Sequence, residues 1–309
     1  MIRTFPSINS GNETNLQNID LEERIIIQEK IDGSQFTVYK DESGKLHYYN
    51  KNKEIGGQGK PFLNAYLSLQ GKEDMFQEGL FYHGEAMTSR LTNTNEYERA
   101  AKCFWIIYEI VRTNNYVLTP EEMQKVLQDT PFETVRLIYD NKRDEKRDLK
   151  ELVENIMKKI DNGDNGEHEE ETIKSCLGGI PEGIVLKALN VLKKDKFSVT
   201  RYKFVRPAFS EANHSKKKRL PQVSDTDFIF ELGSIYNTDA RFSKAVQHLQ
   251  EKDKWNETNI NRNISLLVGE LDEDLLKEEL EEIKTQLFIR YWPEISKAAR
   301  QGLTDFLKK

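Results

Sequence analysis

The chain has 309 residues, of which 37% are hydrophobic and 32% charged, with a formal net charge of −6 and two cysteines. This length suits one large domain or two ordinary ones, and the composition is that of a chain with a packed apolar core. No stretch is apolar enough for a membrane span, and the first residues lack a signal-peptide core. Two cysteines without metal-ligand spacing exclude a disulfide framework, so we expect a reducing compartment such as the cytoplasm.

The charge is unevenly distributed, which matters because nucleic-acid binding follows the local field rather than the net charge. Acidic residues concentrate at 161–171 and 270–282, which we interpret as solvent-exposed faces. Basic residues concentrate between 193 and 219, a density that favours salt-sensitive phosphate contacts. For residues 213–221 a plain basic linker is an equally open interpretation.

The first strong structural signal is a run of three isoleucines at residues 25–27, which predicts a buried strand. A second strand-like run follows at 35–39, and Asp32-Gly33 between them predicts a turn. Lys30 therefore lies where a strand ends, with its amine directed into whatever the strands enclose. That position suits a nucleophile, although the same short pattern taken alone is more often a solvated hairpin corner.

Short strands and helices then follow in irregular order. Further strands are predicted at 46–49, 80–85, 104–111 and 183–189. Helices are predicted at 61–69, 120–128, 146–160, 228–249 and 271–307, the last beginning near the acidic residues 272–274. This order predicts an α+β domain of antiparallel sheets and helices over residues 1–223, followed by a small all-helical domain over 224–309.

Five short sequences occur in a fixed order: QEKIDGS at 28–34, FYHGE at 81–85, FWIIYEI at 104–110, PEGIVLK at 181–187 and RYK at 201–203. They resemble the motifs of covalent nucleotidyltransferases, the superfamily of ATP-dependent polynucleotide ligases and mRNA-capping enzymes. The closest resemblance is to the RNA ligase 2 family, which includes the phage T4 type and the RNA-editing ligases. The predicted helical C-terminal region agrees, because DNA ligases and capping enzymes carry a β-barrel there.

The resemblance implies an ATP-dependent RNA ligase that joins a 3′-hydroxyl to a 5′-phosphate, with nicks in duplex RNA as the expected substrate. The route implied is a covalent lysyl-AMP followed by an adenylylated RNA end, with Mg²⁺ or Mn²⁺ as the divalent ion and a monomer as the active unit. Two alternatives stay open. One is a DNA ligase or capping guanylyltransferase with an unrecognised barrel, and the other is an RNA-binding relative with a degraded cleft.

The same resemblance assigns catalytic roles to Lys30, Glu182, Lys187 and Lys203. Lys30 would be the nucleophile, Glu182 would bind the metal or orient Lys30, and the other two lysines would neutralise phosphate oxygens. A lysine amine is ordinarily protonated at neutral pH, so nearby positive charge and desolvation are expected to free its lone pair. The odd separation of Glu182 and Lys187 predicts a twist or bulge, because both must face one cleft.

Several side chains are implied to contact ATP. Glu29 would read the adenine edge, Glu85 would accept the ribose hydroxyls, and Tyr108 would stack on adenine in place of the family's usual phenylalanine. Without the resemblance these would be a surface carboxylate, a strand end and a core aromatic. The full set of nucleotide-binding candidates is Glu29, Lys30, Ile31, Lys51, Glu85, Tyr108, Glu182, Lys187, Arg201 and Lys203.

Two positions depart from the family pattern. Lys51 stands where the family has an arginine, which loses a bidentate phosphate or RNA contact. The final motif contains two basic residues in the family. Lys203 is one of them in either possible alignment, whereas the second, Arg201 or Arg206, is undecided. The role of Glu109, which replaces a common aspartate, is also open.

Overall fold

The computed structural model describes residues 5–6, 8–19, 24–51, 53–56, 59, 61–90, 92, 95–141, 148–161, 172–189, 199–206 and 225–301. Much of the predicted basic stretch, at 190–198 and 207–224, lies outside these ranges. Strands and helices are mixed along the chain. The predicted α+β class is therefore confirmed. No described helix has both the length and the apolar character needed to cross a membrane.

The strands of the described residues form two sheets. In chain order they are β1 Asn9–Ser10, β2 Arg24–Lys30, β3 Ser34–Lys40, β4 Leu46–Tyr49, β5 Glu54–Ile55, β6 Leu80–Ala86, β7 Trp105–Arg112, β8 Glu133–Thr134, β9 Leu137–Asp140, β10 Gly183–Leu189 and β11 Val199–Val205. One sheet has the order β1-β11-β10-β2-β9, and the other β5-β4-β3-β6-β7-β8. Because β2 and β3 are consecutive but belong to different sheets, the turn after Lys30 connects the two sheets.

The helices alternate with the strands and then follow them without interruption. They are α1 Glu13–Gln17, α2 Leu63–Leu69, α3 Pro120–Leu127, α4 Leu149–Asp161, α5 Asp225–Ser234, α6 Asp239–Glu251, α7 Ile260–Glu278 and α8 Leu280–Ala299, with short 3₁₀ turns at Glu73–Met75 and Lys102–Phe104. The described residues after 225 contain helices and no strand, as the periodicity predicts.

The register of the first sheet brings its basic residues to one face. Lys187 is directly opposite Arg201, with Lys203 two positions further along β11. Lys30 is opposite Gly183, an even number of positions from Lys187. Opposed residues lie on the same side of a sheet, and side chains alternate along a strand. The four basic side chains therefore share one face.

The other face of this sheet is apolar and packs against helices. Ile25, Ile27 and Leu186 are almost completely buried, and they share a core cluster with Val153 and Ile156 of α4. Ile25 and Ile27 of β2 thus lie on the buried side of the strand, whereas Gln28 and Lys30, one and three positions beyond Ile27, lie on the face that carries the site. The second sheet has its own core around Phe36 and Trp105, where the Trp105 indole donates to the Phe36 carbonyl oxygen at 3.0 Å.

The acidic stretch 270–282 is solvent-exposed only in part: Asp272, Glu273 and Glu281 are exposed as predicted, whereas other carboxylates of the stretch form ion pairs between helices. The Glu270 carboxylate is buried and pairs with Lys252 at 2.6 Å. Arg241, only 1% exposed, pairs with Asp274 and Glu279. These carboxylates join α7 and α8 to α6. The predicted helix start at 272–274 is wrong, because α7 begins at Ile260, after an Asn259 side chain that accepts from the Arg262 amide.

Candidate active site

A cleft of about 1150 Å³ lies over the basic face of the first sheet, with its walls contributed by both sheets and by the C-terminal helices. Every predicted nucleotide-binding residue lines this cleft except Arg201. Segments that are far apart in sequence therefore meet in one place. The cleft volume lies just above the range of ordinary small-molecule sites, about 300–1,000 Å³.

The centre of the cleft is an ion pair between Lys30 and Glu182. The Lys30 Nζ lies 2.5 Å from Glu182 Oε2, and the two side chains are 19% and 11% exposed. Burial raises the pKa of the Glu182 carboxyl above its ordinary value, and Asp32 adds to this rise although Lys30 opposes it. A carboxylate of raised pKa beside an amine is a suitable acceptor for the amine's proton.

No bulge is needed between Glu182 and Lys187, so that prediction is wrong. Glu182 precedes β10 rather than belonging to it, and its N–H donates to the Lys30 carbonyl oxygen at 3.2 Å. Pairing of β10 with β2 is regular throughout. Because Glu182 is outside the pleat, the alternation of side chains does not apply to it, and its carboxylate reaches the same cleft as Lys187.

The turn after Lys30 is fixed by its own side chains and by a close backbone approach. Asp32 is buried, its N–H donates to the Tyr97 hydroxyl at 2.9 Å, and its carboxylate accepts from the Thr92 hydroxyl. A Cβ on Gly33 would lie 2.8 Å from the Ala86 carbonyl oxygen, so only glycine fits there without displacing the backbone. Asp32 therefore acts as a turn residue, and the turn holds Lys30 in place.

Lys187 is part of a buried cluster beneath the cleft floor. Its amine lies 2.9 Å from Glu109 Oε2 and donates to the Tyr108 carbonyl oxygen at 2.8 Å. Arg201 donates to both oxygens of the same Glu109 carboxylate, which explains why Arg201 does not line the cleft. Burial by itself would raise the pKa of Glu109, but Lys187 and Arg201 outweigh it and lower the pKa to about 2. Glu109 is thus the anion that holds two cations of the sheet together.

Glu29 lines the cleft, and its carboxylate is already held by the backbone. Its Oε1 accepts from the Arg136 amide at 2.7 Å and from the Cys176 amide at 3.2 Å. The residue is 2% exposed. These bonds connect β2 to two loops that border the cleft, so Glu29 has a structural function in addition to its predicted contact with adenine.

Three polar side-chain atoms in the cleft walls are buried and have no hydrogen-bond partner among the described residues: Gln28 Oε1, Gln35 Nε2 and Glu85 Oε2. Burial raises the pKa of Glu85 to about 8, against the opposing effects of Lys30 and Lys244. Native proteins rarely leave such atoms unsatisfied, so these three atoms are available to hydrogen-bond water or a polar group that enters the cleft. The two glutamines were missed by sequence reasoning, although each lies within seven residues of Lys30 in the printed sequence.

Tyr108 is accompanied by an aromatic residue that the sequence did not indicate. Phe5 packs edge-on against the Tyr108 ring with centroids 4.9 Å apart, and both residues line the cleft. The Lys187 amine also lies near this ring, 5.5 Å from the Tyr108 centroid. Contacts of this kind fix the orientation of the ring, which a stacking surface requires.

Lys203 and Lys51 line the helical side of the cleft. Lys203 Nζ lies 3.0 Å from Glu278 Oε2 of α7. Burial, followed by the positive charges of Lys277 and Lys244, lowers the pKa of Lys51. The other candidate for the second basic residue, Arg206, is bound to Asp161 at 2.9 Å and does not line the cleft.

The donor set fits a divalent ion only together with a bound nucleotide. Among the described residues, no group of three or more His, Cys, Asp and Glu side chains could hold a metal by itself. Mg²⁺ typically binds one or two carboxylates together with substrate phosphates and water. Glu182, the predicted metal ligand, would be such a carboxylate once phosphates are present.

The fold and site together define a mixed α+β protein with a lysine–carboxylate pair in a cleft of nucleotide size. The sequence model of the family described as RNA ligase matches residues 23–205. That is more than half of the chain, and it includes all five motifs. The chain belongs to the RNA ligase family. The resemblance drawn from the motifs is confirmed at this level.

Among solved structures, an archaeal ATP-dependent RNA ligase is 14% identical, with a TM-score of 0.47 over 92% of this chain and 66% of that chain. A Naegleria gruberi RNA ligase mutant with ATP and Mn is 16% identical, with a TM-score of 0.44 over 71% and 59%. A putative ATP-dependent DNA ligase from Aquifex aeolicus is 13% identical, with a TM-score of 0.44 over 90% and 68%.

This chain thus spans slightly less than two thirds of the archaeal ligase. All three TM-scores are below 0.5, so the family assignment rests on the sequence model. Among curated proteins, no relative matches significantly.

Proposed function

We propose that this protein is an ATP-dependent RNA ligase that joins a 3′-hydroxyl to a 5′-phosphate, with nicks in duplex RNA as its substrate. The observation that carries the proposal is the Lys30–Glu182 pair, held at 2.5 Å inside a cleft with unsatisfied polar atoms in its walls. Membership of the RNA ligase family supplies the reaction class.

In the first step Lys30 attacks the α-phosphate of ATP. A bond forms between Nζ and the α-phosphorus, and the bond from that phosphorus to the bridging oxygen breaks, its electron pair leaving with pyrophosphate. The proton that the amine gives up passes to a base, for which Glu182 is the paired carboxylate. The raised pKa of Glu182 favours this transfer. The product is lysyl-AMP.

The nucleoside would be held by residues on the sheet side of the cleft. Tyr108, positioned by Phe5, would stack on the adenine, and the Glu85 carboxylate would accept the ribose hydroxyls. Gln28 and Gln35 each present an unsatisfied amide atom to the same cleft, which suits hydrogen bonds to ribose or base edges. A divalent ion, Mg²⁺ or Mn²⁺, would neutralise phosphate charge during transfer, and Glu182 would be its protein ligand as the alternative to its role as the proton acceptor.

AMP then passes to the RNA 5′-phosphate, and the 3′-hydroxyl displaces it. Residues 1–223 would form the adenylyltransferase domain, and residues 224–309 a helical domain that contacts RNA. Duplex RNA is distinguished from DNA mostly by its shape and its 2′-hydroxyls. We expect a monomer, since one chain supplies the whole cleft.

A labelling experiment tests this function. The protein is incubated with α-labelled ATP or GTP and Mg²⁺, and covalently bound label is measured after denaturation. We expect labelling from ATP, its loss of at least about 10³-fold in Lys30→Ala, and no change in Lys45→Ala, which alters an exposed lysine in the β3–β4 turn. Retained labelling in Lys30→Ala would disprove the site assignment.

The same assay separates the alternatives. Labelling from GTP alone would indicate a capping guanylyltransferase, and labelling from neither nucleotide would favour an RNA-binding relative without activity. Sealing of nicked duplexes with RNA or DNA at the 3′-hydroxyl side then decides between RNA ligase and DNA ligase.

A further inference from the structure

The C-terminal helices contribute directly to the cleft that holds Lys30. Lys244 of α6 and Lys277 of α7 line it. Gln247 of α6 is 5% exposed, and its amide donates to the Gly33 carbonyl oxygen at 2.8 Å and to the Ser34 hydroxyl at 2.7 Å. These bonds fix α6 against the turn that follows Lys30. The helical wall of the cleft therefore has a fixed position relative to the turn after Lys30.

Positive charge converges on this wall. The pKa of Lys51 is lowered chiefly by burial and then by Lys277 and Lys244. The pKa of His248 is lowered to about 3 by burial and then by Lys244 and Lys51. Lys244 also acts on the carboxyl of Glu182, the partner of Lys30. Glu278 and Glu251 offset part of this positive charge at Lys51, and a bound polyanion would further reduce the repulsion among the lysines.

An internal carboxylate already occupies part of this field. Glu278, the residue after Lys277, forms an ion pair with Lys203: its Oε2 lies 3.0 Å from the Lys203 Nζ, and both side chains are 19% exposed. Lys203 is a candidate phosphate-binding residue, so a phosphate oxygen would compete with Glu278 for the same amine. The helix thus supplies both a cation for a polyanion and a carboxylate that such a ligand would displace.

We propose that Lys244 and Lys277 form a pyrophosphate-binding site on the helical wall, which holds the β- and γ-phosphates of ATP while Lys30 attacks the α-phosphate. The inference rests on the adenylyl transfer proposed above. When the bond to the α-phosphorus breaks, the departing pyrophosphate takes the electron pair, and fixed cations stabilise the charge that develops there. Both lysines are therefore assigned to the leaving group rather than to the nucleoside.

Binding measurements test this assignment without chemistry. The full chain carrying Lys30→Met is titrated by calorimetry with ATP, AMP and inorganic pyrophosphate in the presence of Mg²⁺. Adding Lys244→Met and Lys277→Met is expected to weaken ATP and pyrophosphate binding by roughly tenfold or more and to leave AMP binding unchanged. Lys284→Met, which alters an exposed lysine of α8, is the matched control and should change none of the three.

Glu278→Gln gives a result of opposite sign. Because it removes the competitor for Lys203, it should strengthen ATP and pyrophosphate binding by about threefold. A purely structural role for these helices would not produce a gain in one variant and a loss in the other.

Four outcomes would overturn the proposal, and each has a different meaning. Unchanged ATP binding in the double lysine variant refutes the pyrophosphate site and leaves the proposed ligase function standing. Equal loss of ATP and AMP means that the lysines only support the fold. If neither nucleotide binds the Lys30→Met parent, the proposed function itself fails. When Lys30 is intact, the double lysine variant should still seal a nick that is already adenylylated. Failure to seal it would mean that the two lysines bind RNA phosphates instead.

Discussion

Lys30 and Lys187 share one face of the first sheet, and each is paired with a glutamate. The pKa values of the two glutamates are shifted in opposite directions. Lys30 and Glu182 form a one-to-one pair that is partly exposed in the cleft. Lys187 pairs with Glu109 at 3% and 1% exposure, and Arg201 binds the same carboxylate. The pKa of Glu182 is raised, whereas the pKa of Glu109 is lowered to about 2.

This difference shows which pair can exchange a proton. Burial of Glu182 outweighs the attraction of Lys30 and the weaker attraction of Lys244, so its pKa is raised and it is suited to receive a proton from Lys30. Glu109 has two cations and keeps its charge under all ordinary conditions. Lys187, predicted to hold a phosphate, has its amine engaged by Glu109 and Tyr108. The first pair is suited to chemistry, and the second holds β7, β10 and β11 together.

The largest effect is expected from Glu109→Gln. This change keeps the shape of the side chain but leaves Lys187 and Arg201 close together without their anion. Removing one partner of a buried ion pair costs about 3–5 kcal/mol in the free energy of unfolding. Urea denaturation measures it. Glu133→Gln is the matched control, since it breaks an Arg99–Glu133 pair whose arginine is 47% exposed, and we expect about 1 kcal/mol or less.

Glu182→Gln should show the reverse pattern. The variant loses the proton acceptor for Lys30, so the rate of covalent labelling from ATP should fall by roughly 10²–10³-fold. Its free energy of unfolding should fall less than that of Glu109→Gln, because burial opposes the charge of Glu182 and because the Lys30 side chain keeps some contact with solvent. Glu154→Gln, which alters an exposed carboxylate lining the same cleft, should label normally. A Glu182→Gln protein that labels at the wild-type rate would show that the two pairs do not differ in function.

The resemblance to the ligase family implied the first of these pairs, because Lys30 and Glu182 both belong to its short motifs. Isoleucines at 25–27 and the Asp32-Gly33 turn fix where β2 ends, and PEGIVLK fixes β10. The regular helical periodicity after residue 225 likewise predicted helices. Each of these signals depends on neighbours within a few residues along the chain, and such signals are readable without a structure.

What the sequence did not predict depends on contacts between distant segments. Phe5 and Gln35 belong to no motif, and Gln28 opens the first motif without a role assigned to it. All three became candidates only because they line the cleft that holds Tyr108 and Lys30. Carboxylates at 270–282 have the spacing of an exposed helix face. The ion pairs of Glu270 and Asp274 depend on Lys252, the residue after α6, and on Arg241 of α6, which no local pattern reveals.

A third carboxylate, Glu85, extends the comparison and gives the smallest expected effect. Glu85 holds its proton in the folded protein up to a pKa of about 8, whereas the ordinary value is 4.5. Between these pH values the folded state binds more protons than the unfolded state, so the free energy of unfolding falls as pH rises. Glu85→Gln removes that dependence. We expect the variant to gain roughly 1–2 kcal/mol relative to wild type between about pH 5 and pH 8, less than the whole shift implies because the residue is partly exposed.

Urea denaturation at the two pH values measures this gain, and Glu78→Gln, at an exposed position before β6, should show none. Saturating AMP should reduce the difference, because ribose hydroxyls that donate to Glu85 favour its charged form and lower its pKa. If the Glu85→Gln and wild-type profiles stay parallel, Glu85 titrates like a surface carboxylate. The comparison would then be limited to Glu182 and Glu109, the latter with its charge fixed by Lys187 and Arg201.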